Sequence, residues 1–246
     1  MSLAKELKNK FNGLSIDEQT HTYTYKGNVL PSVSSIIEGL SEEFDTLKHA
    51  TRVAKKEGVT VETIIKRWED GNKLSCDNGH SVHDFGENYV NKKYFQGSDV
   101  SVLFSSNGQE EAIIKYWNEL PNYYLPIILE LKMYSKIFGY AGTCDILLYN
   151  LKTRKFVIAD YKTNIDLFKN FKGQTMLPPF EYLLDMPYNH YQIQLSLYEL
   201  LLEEKGYRIE NRVIIWLFPD GTYKTYETND FRRLIKKYLN ENWRCN

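Results

Sequence analysis

The stretch GYAGTCDILLYNLKTRKFVIADYKTN, residues 139–164, decides the reading of this chain. Two apolar runs, Ile146 to Leu148 and Phe156 to Ala159, flank a tight connection at Asn150 to Arg154. Both carry strand signals, so they pair as an antiparallel hairpin. The second run ends in Asp160, Tyr161, Lys162 and Thr163, and the first begins at Asp145. Alternate side chains of a strand share a face, which puts Asp160 and Lys162 together behind Phe156 and Ile158, with Tyr161 opposite. The expected register sets Asp145 across from Lys162 and Asp160 across from Leu147, within reach of a common point.

Two carboxylates at an apolar strand end need a cation, and hard oxygen ligands suit Mg²⁺ or Mn²⁺. Gly142 and Ala141, just before Asp145, leave room for a close approach. Taken alone, D-x-K is far more often a plain ion pair at a strand end, because short motifs recur by chance.

Outward from this hairpin, residues 127–135 form a third strand of an antiparallel meander. Helical spacing over 78–95 aligns Val82, Phe85, Tyr89 and Val90, and a further helix covers 109–119. After an irregular segment, 164–187, a helix spans 188–205, strands follow at 212–218 and 222–228, and a last helix runs over 230–240. The order predicts a mixed α/β, or α+β, core in layers. Before it, HTYTYKGNVL reads as a hairpin, Ser32 or Ser34 caps a short helix stopped by Gly39, and two charged helices over 41–57 and 61–69 look peripheral. The expected organisation is an N-terminal hairpin and helical extension, 1–75, and a core, 76–246; Met1 to Leu3 are set aside.

Lys and Arg number 31 against 32 Asp and Glu, so nucleic-acid binding requires a local basic patch rather than a global field. One such run is Lys48, Arg52, Lys55 and Lys56, which reads equally as a solvated helix face. Cys76, Cys144 and Cys245 are odd in number and far apart, which argues against disulfides and against a four-cysteine iron–sulfur cluster. A reducing cytoplasm is expected, and no apolar run reaches the ~20 residues a membrane span needs.

The three elements Gly142-Thr143-Cys144-Asp145, Asp160-Tyr161-Lys162-Thr163 and Gln194-x-x-x-Tyr198 occur in order on strand, strand and helix. This pattern resembles the PD-(D/E)XK nuclease superfamily and, within it, the RecB-type exonuclease branch. Gly79-x-x-x-His83 with Glu87 matches that branch's upstream helix motif, and the segment around Pro31-Ser32-Val33-Ser34 is similar to one in phage and mitochondrial genome maintenance exonucleases. The resemblance implies a restriction-endonuclease-like core and hydrolysis of DNA phosphodiester bonds with Mg²⁺ or Mn²⁺, from single strands or duplex ends. It also implies site roles. Asp145, Asp160 and Lys162 would be catalytic; His83, Asp145, Asp160, the Tyr161 carbonyl and Glu130 would hold metal; Ser32, Ser34, Thr163, Gln194 and Tyr198 would contact nucleic acid. No Walker A motif is present, so a helicase or recombination partner would be a separate chain. The rivals are a catalytically silent binding subunit of a repair complex and a restriction-type endonuclease.

Overall fold

The computed structural model describes residues 2–18, 20–100, 103–170 and 173–242, so Cys245 lies outside the described residues. Helix α1 (Leu3–Lys10) is capped by the Ser2 hydroxyl, so Ser2 and Leu3 belong to the fold. Strands β1 (Leu14–Asp17), β2 (Thr22–Tyr25) and β3 (Asn28–Leu30) form a small antiparallel sheet. Its β2–β3 turn sits on Lys26 and Gly27, both at positive φ. Helix α2 (Val33–Glu38) follows, and Ser32 is its cap. Helix α3 (Thr46–Glu57) is shorter than expected because Asp45 caps it.

The expected break after residue 69 does not exist. Helix α4 runs from Val61 to Val90 as one element and continues into a π-helical turn, Asn91–Gln96. Every residue from 69 to 77 is exposed, so this part of α4 bridges solvent between packed ends. It has no apolar face to betray it as helix in sequence. The division at residue 75 falls inside it.

Helix α5 (Gly108–Glu119) leads to β4 (Tyr124–Tyr134), β5 (Ala141–Asn150) and β6 (Lys155–Lys162). Helix α6 (Pro187–Glu204) then crosses to β7 (Ile209–Leu217), followed by β8 (Tyr223–Glu227) and α7 (Arg232–Asn242). The main sheet has the order β4-β5-β6-β7-β8, antiparallel except for the parallel β6–β7 pair. It is a mixed α/β layered fold.

Each sheet face has its own core. Phe156, Ile158, Leu147 and Ile214 pack with α6, α7 and the N-terminal elements, including Leu7, Phe11, Val33 and Ile36. Val157, Ala159, Tyr161, Ile146 and Ile215 pack on the other side with Val82, Tyr89, Ile113 and Trp117 of α4 and α5. A third, small cluster of Ala50, Ala54 and Ile64 joins α3 to the first turns of α4. The 164–187 segment is pinned to the core by Leu167, Met176 and Phe180, all fully buried.

The register differs from expectation. Asn150 pairs with Lys155 and Ile146 with Ala159, which brings Asp145 level with Asp160 instead of Lys162. The Leu151 to Arg154 turn closes this tightly, with Arg154 at φ 57° and its N–H donating to the Asn150 carbonyl at 2.8 Å. A two-residue shift keeps every side chain on its expected face.

Candidate metal centre

The acids collect where β4 and β5 interrupt their alternation. Leu129 packs on the α4 side and Leu131 on the α6 side, and across the ladder Ile146 and Cys144 do the same. Glu130, between the two leucines, has φ 49°, a conformation that costs a non-glycine residue on the order of 1–3 kcal/mol. The interruption aims Glu130 and Asp145 toward the helix that carries His83.

His83 is held on both ring nitrogens. Its Nδ1 lies 3.1 Å from Asp145 Oδ2, and its Nε2 lies 3.1 Å from the Tyr161 carbonyl oxygen. Helix α4 can come this close to β6 because residue 86 is glycine, where a Cβ would fall 2.8 Å from the Tyr161 ring. One ligand atom each from His83, Glu130 and Asp145 lies within 4.8 Å of the others. These three residues, with Gly86, Glu87, Leu129, Ile146 and Tyr161, line one small cavity.

Beside them, Asp160 is 1% exposed and its Oδ2 sits 2.7 Å from Lys162 Nζ. Asp145 Oδ2 and both Asp160 oxygens are buried without a well-aligned hydrogen bond, although a basic nitrogen stands near each Oδ2. Burial and the neighbouring Asp145 charge push Asp160 well above the carboxylate range. Glu130 is exposed as a residue, but its carboxyl faces this cluster, where desolvation and the same charge push it up to about 8. Burial would lower His83, yet the Asp145 carboxylate outweighs it and raises the imidazole to about 9. Burial would likewise raise Asp145, and the facing His83 holds it below its usual range. Lys162 is kept charged by Asp160 against the cost of its burial.

Without a cation, then, protons neutralise a cluster with too many carboxylates. Orphaned carboxylate oxygens and a mixed nitrogen and oxygen donor set are what a divalent ion would satisfy, so these residues fit one. His80, the other histidine of this helix, is exposed and stacks on His21.

The remaining motif residues form a frame. A Cβ at Gly142 would lie 2.8 Å from both the Tyr198 ring and Val33, so this glycine lets β5, α6 and α2 meet. Tyr198 is 5% exposed and accepts a hydrogen bond from Gln194 Nε2 at 3.0 Å, a bracing position within the core rather than on a surface. Ser32 spends its hydroxyl on the Ser35 N–H, and its backbone bridges Ala141; Ser34 is exposed. Thr163 lies next to Gly79, and its carbonyl accepts from Gln109 Nε2.

Tyr191 had no place in the sequence reading. Its ring centre lies 4.1 Å from Lys162 Nζ, and its hydroxyl donates to Asn164 Oδ1 at 2.8 Å. A ring face over a desolvated ammonium both orients and stabilises it. Its position, one helical turn before Gln194, was a usable signal lost among nineteen tyrosines.

No protein-family model and no curated protein matches the chain. Among solved structures, one described as "Crystal structure of SSO0001" is similar at a TM-score of 0.31 and 14% identity, over 85% of this chain and 84% of that one. No helix among the described residues is long and apolar enough to cross a membrane.

Proposed function

We propose that this protein is a metal-dependent nuclease of the PD-(D/E)XK type that hydrolyses DNA phosphodiester bonds, acting on single strands or strand ends. The observation that carries this reading is the convergence of His83, Glu130, Asp145 and Asp160 beside Lys162, with Asp145 and Asp160 level on adjacent strands. The meander β4-β5-β6, the crossing helix α6 and the parallel β7 accord with the restriction-endonuclease-like core that the motifs imply.

His83, Glu130 and Asp145 would hold Mg²⁺ or Mn²⁺, with Asp160 and the Tyr161 carbonyl adjacent. Such an ion supplies charge neutralisation at phosphate and a more acidic water. The chain supplies the rest. Lys162 keeps its charge in a largely desolvated place, where an ammonium stabilises a developing negative oxygen far more than it would in water. Asp160 and the Tyr191 ring fix that ammonium from two sides. Gln194, tied to Tyr198, and Thr163, beside Gly79, stand on the elements flanking Lys162 and would meet the nucleic-acid backbone.

A time course on end-labelled single-stranded and closed circular DNA, with Mn²⁺, Mg²⁺ or EDTA, tests the reading. Shortening of linear strands alone, absent in EDTA, is the expected result. Discrete fragments from closed circles would favour a restriction-type endonuclease, and no cleavage with any metal would defeat the enzyme reading.

A further inference from the structure

The α3 helix carries a feature that the metal centre does not use. Lys48, Arg52, Lys55 and Lys56 are exposed, and their spacing of four, seven and eight residues puts them on one face. That face is opposite Ala50 and Ala54, which are buried against α4. None of the four side chains has an ion-pair partner among the described residues, whereas nearby Glu57 is taken by Arg67 at 2.8 Å. Like charges placed one turn apart cost stability, so an unneutralised stripe on a helix with so small a core serves something other than folding.

The surroundings fit a strand of nucleic acid. Lys48 to Lys56 is eight residues, about 12 Å of helix, and the four cations along it can meet successive phosphates of one strand. Next to the stripe, Phe44 is 50% exposed with its ring stacked on His49 at 4.7 Å and its edge toward Trp68 of α4. An aromatic face beside a cationic track is what unpaired bases require and what a duplex, with its bases stacked inside, does not. The pad is also attached to the metal centre by a ruler. Ile64, in the α3–α4 contact, and His83 stand nineteen residues apart on one continuous helix, about 28 Å along its axis.

We infer that the α3–α4 lobe is a single-strand binding pad: the Lys48, Arg52, Lys55 and Lys56 stripe holds the phosphodiester backbone of a strand whose bases rest on Phe44. The substrate class rests on the nuclease reading.

The test is the affinity of the full chain for a labelled DNA strand of about 16 nucleotides, in EDTA, over a range of salt. The comparison is with the Lys48→Gln, Arg52→Gln, Lys55→Gln, Lys56→Gln variant. All four positions are exposed, so the variant's melting temperature serves as the fold control. The expected result is weaker binding and a slope of log affinity against log salt shallower by ~0.7 per lost phosphate contact, about 3 in all. A Phe44→Ala variant should weaken single-strand binding with the slope unchanged. Equal affinity and slope for wild type and the quadruple variant would overturn the pad. So would stripe-dependent binding to phosphatidylserine vesicles with none to DNA. A stripe-dependent slope without any cleavage in Mn²⁺ would sink the nuclease reading and leave the pad standing.

Discussion

Charge is handled in opposite ways at the two ends of α4. At the His83 end, two carboxylates, an imidazole and an ammonium are withdrawn from solvent and set against neighbours, Asp145 against His83, Asp160 against Lys162 and Lys162 again against Tyr191, with Glu130 left over at the exposed edge. At the α3 end, Lys48, Arg52, Lys55 and Lys56 stand in solvent with no ion-pair partner among the described residues. Buried charges need fixed partners and so make a rigid, preorganised site. Solvated cations on a small lobe can wait for a partner from outside. The stiff, exposed stretch 69–77 keeps the two environments apart.

The largest expected contrast is in local stability. The lobe buries only Ala50, Ala54 and Ile64, while β5 and β6 are buried on both faces. Amide exchange of α3 should therefore report an opening free energy several kcal/mol below that of β5 and β6. Equal protection in both would mean that the lobe is part of the core.

On the site side, Lys162→Ala should lower the cleavage rate by about 10³-fold in single-turnover kinetics, with the circular dichroism spectrum retained. Near-full activity would remove Lys162 from catalysis.

The metal-free protein should respond to pH in a defined direction. Folded His83 titrates near 9 against an ordinary 6.5, so the stability its ion pair contributes is complete below 6.5 and lost as pH climbs to 9. Glu130, pushed to about 8 from 4.5, favours its protonated form in the folded protein, so the stability it contributes is lost between pH 4.5 and 8 and overlaps the first part of that loss. In EDTA the melting temperature should fall between pH 6.5 and 9. Mn²⁺ should reverse the fall, since it competes with protons that are leaving. A flat profile in EDTA would contradict the proton-neutralised cluster.

Smaller effects separate orientation from charge. Tyr191→Leu should cost about 10-fold in rate through loss of the ring over Lys162, and Tyr191→Phe, which keeps the ring, no more than about 3-fold. Glu130→Gly should relieve the positive φ and raise stability by about 1 kcal/mol while weakening Mn²⁺ binding, both read from melting curves with and without the ion.

The hairpin, the placement of Asp160 and Lys162 on one face, the meander and the helix at 188–205 were legible in the sequence because apolar periodicity reports burial directly. The β5–β6 register was not, since it depends on how the Leu151 to Arg154 turn closes. Nor was the unity of α4. Glu69 to Asp77 is exposed throughout, and a helix that buries nothing leaves no pattern. The strand β1 was missed for a similar reason, being four residues of alternating polarity at an edge. At the site, the motif residues were readable as a set, but their division of labour was not. Whether Tyr198 meets a surface or braces Gly142 is settled by packing between α6, β5 and α2, which no local pattern encodes.

A calorimetric titration of Mn²⁺ into the metal-free protein, repeated with Asp145→Asn, tests the metal centre most directly. The account predicts saturable binding at the His83, Glu130 and Asp145 site, accompanied by proton release at neutral pH and lost in the variant. Equal binding by both proteins, or none by the wild type, would contradict it.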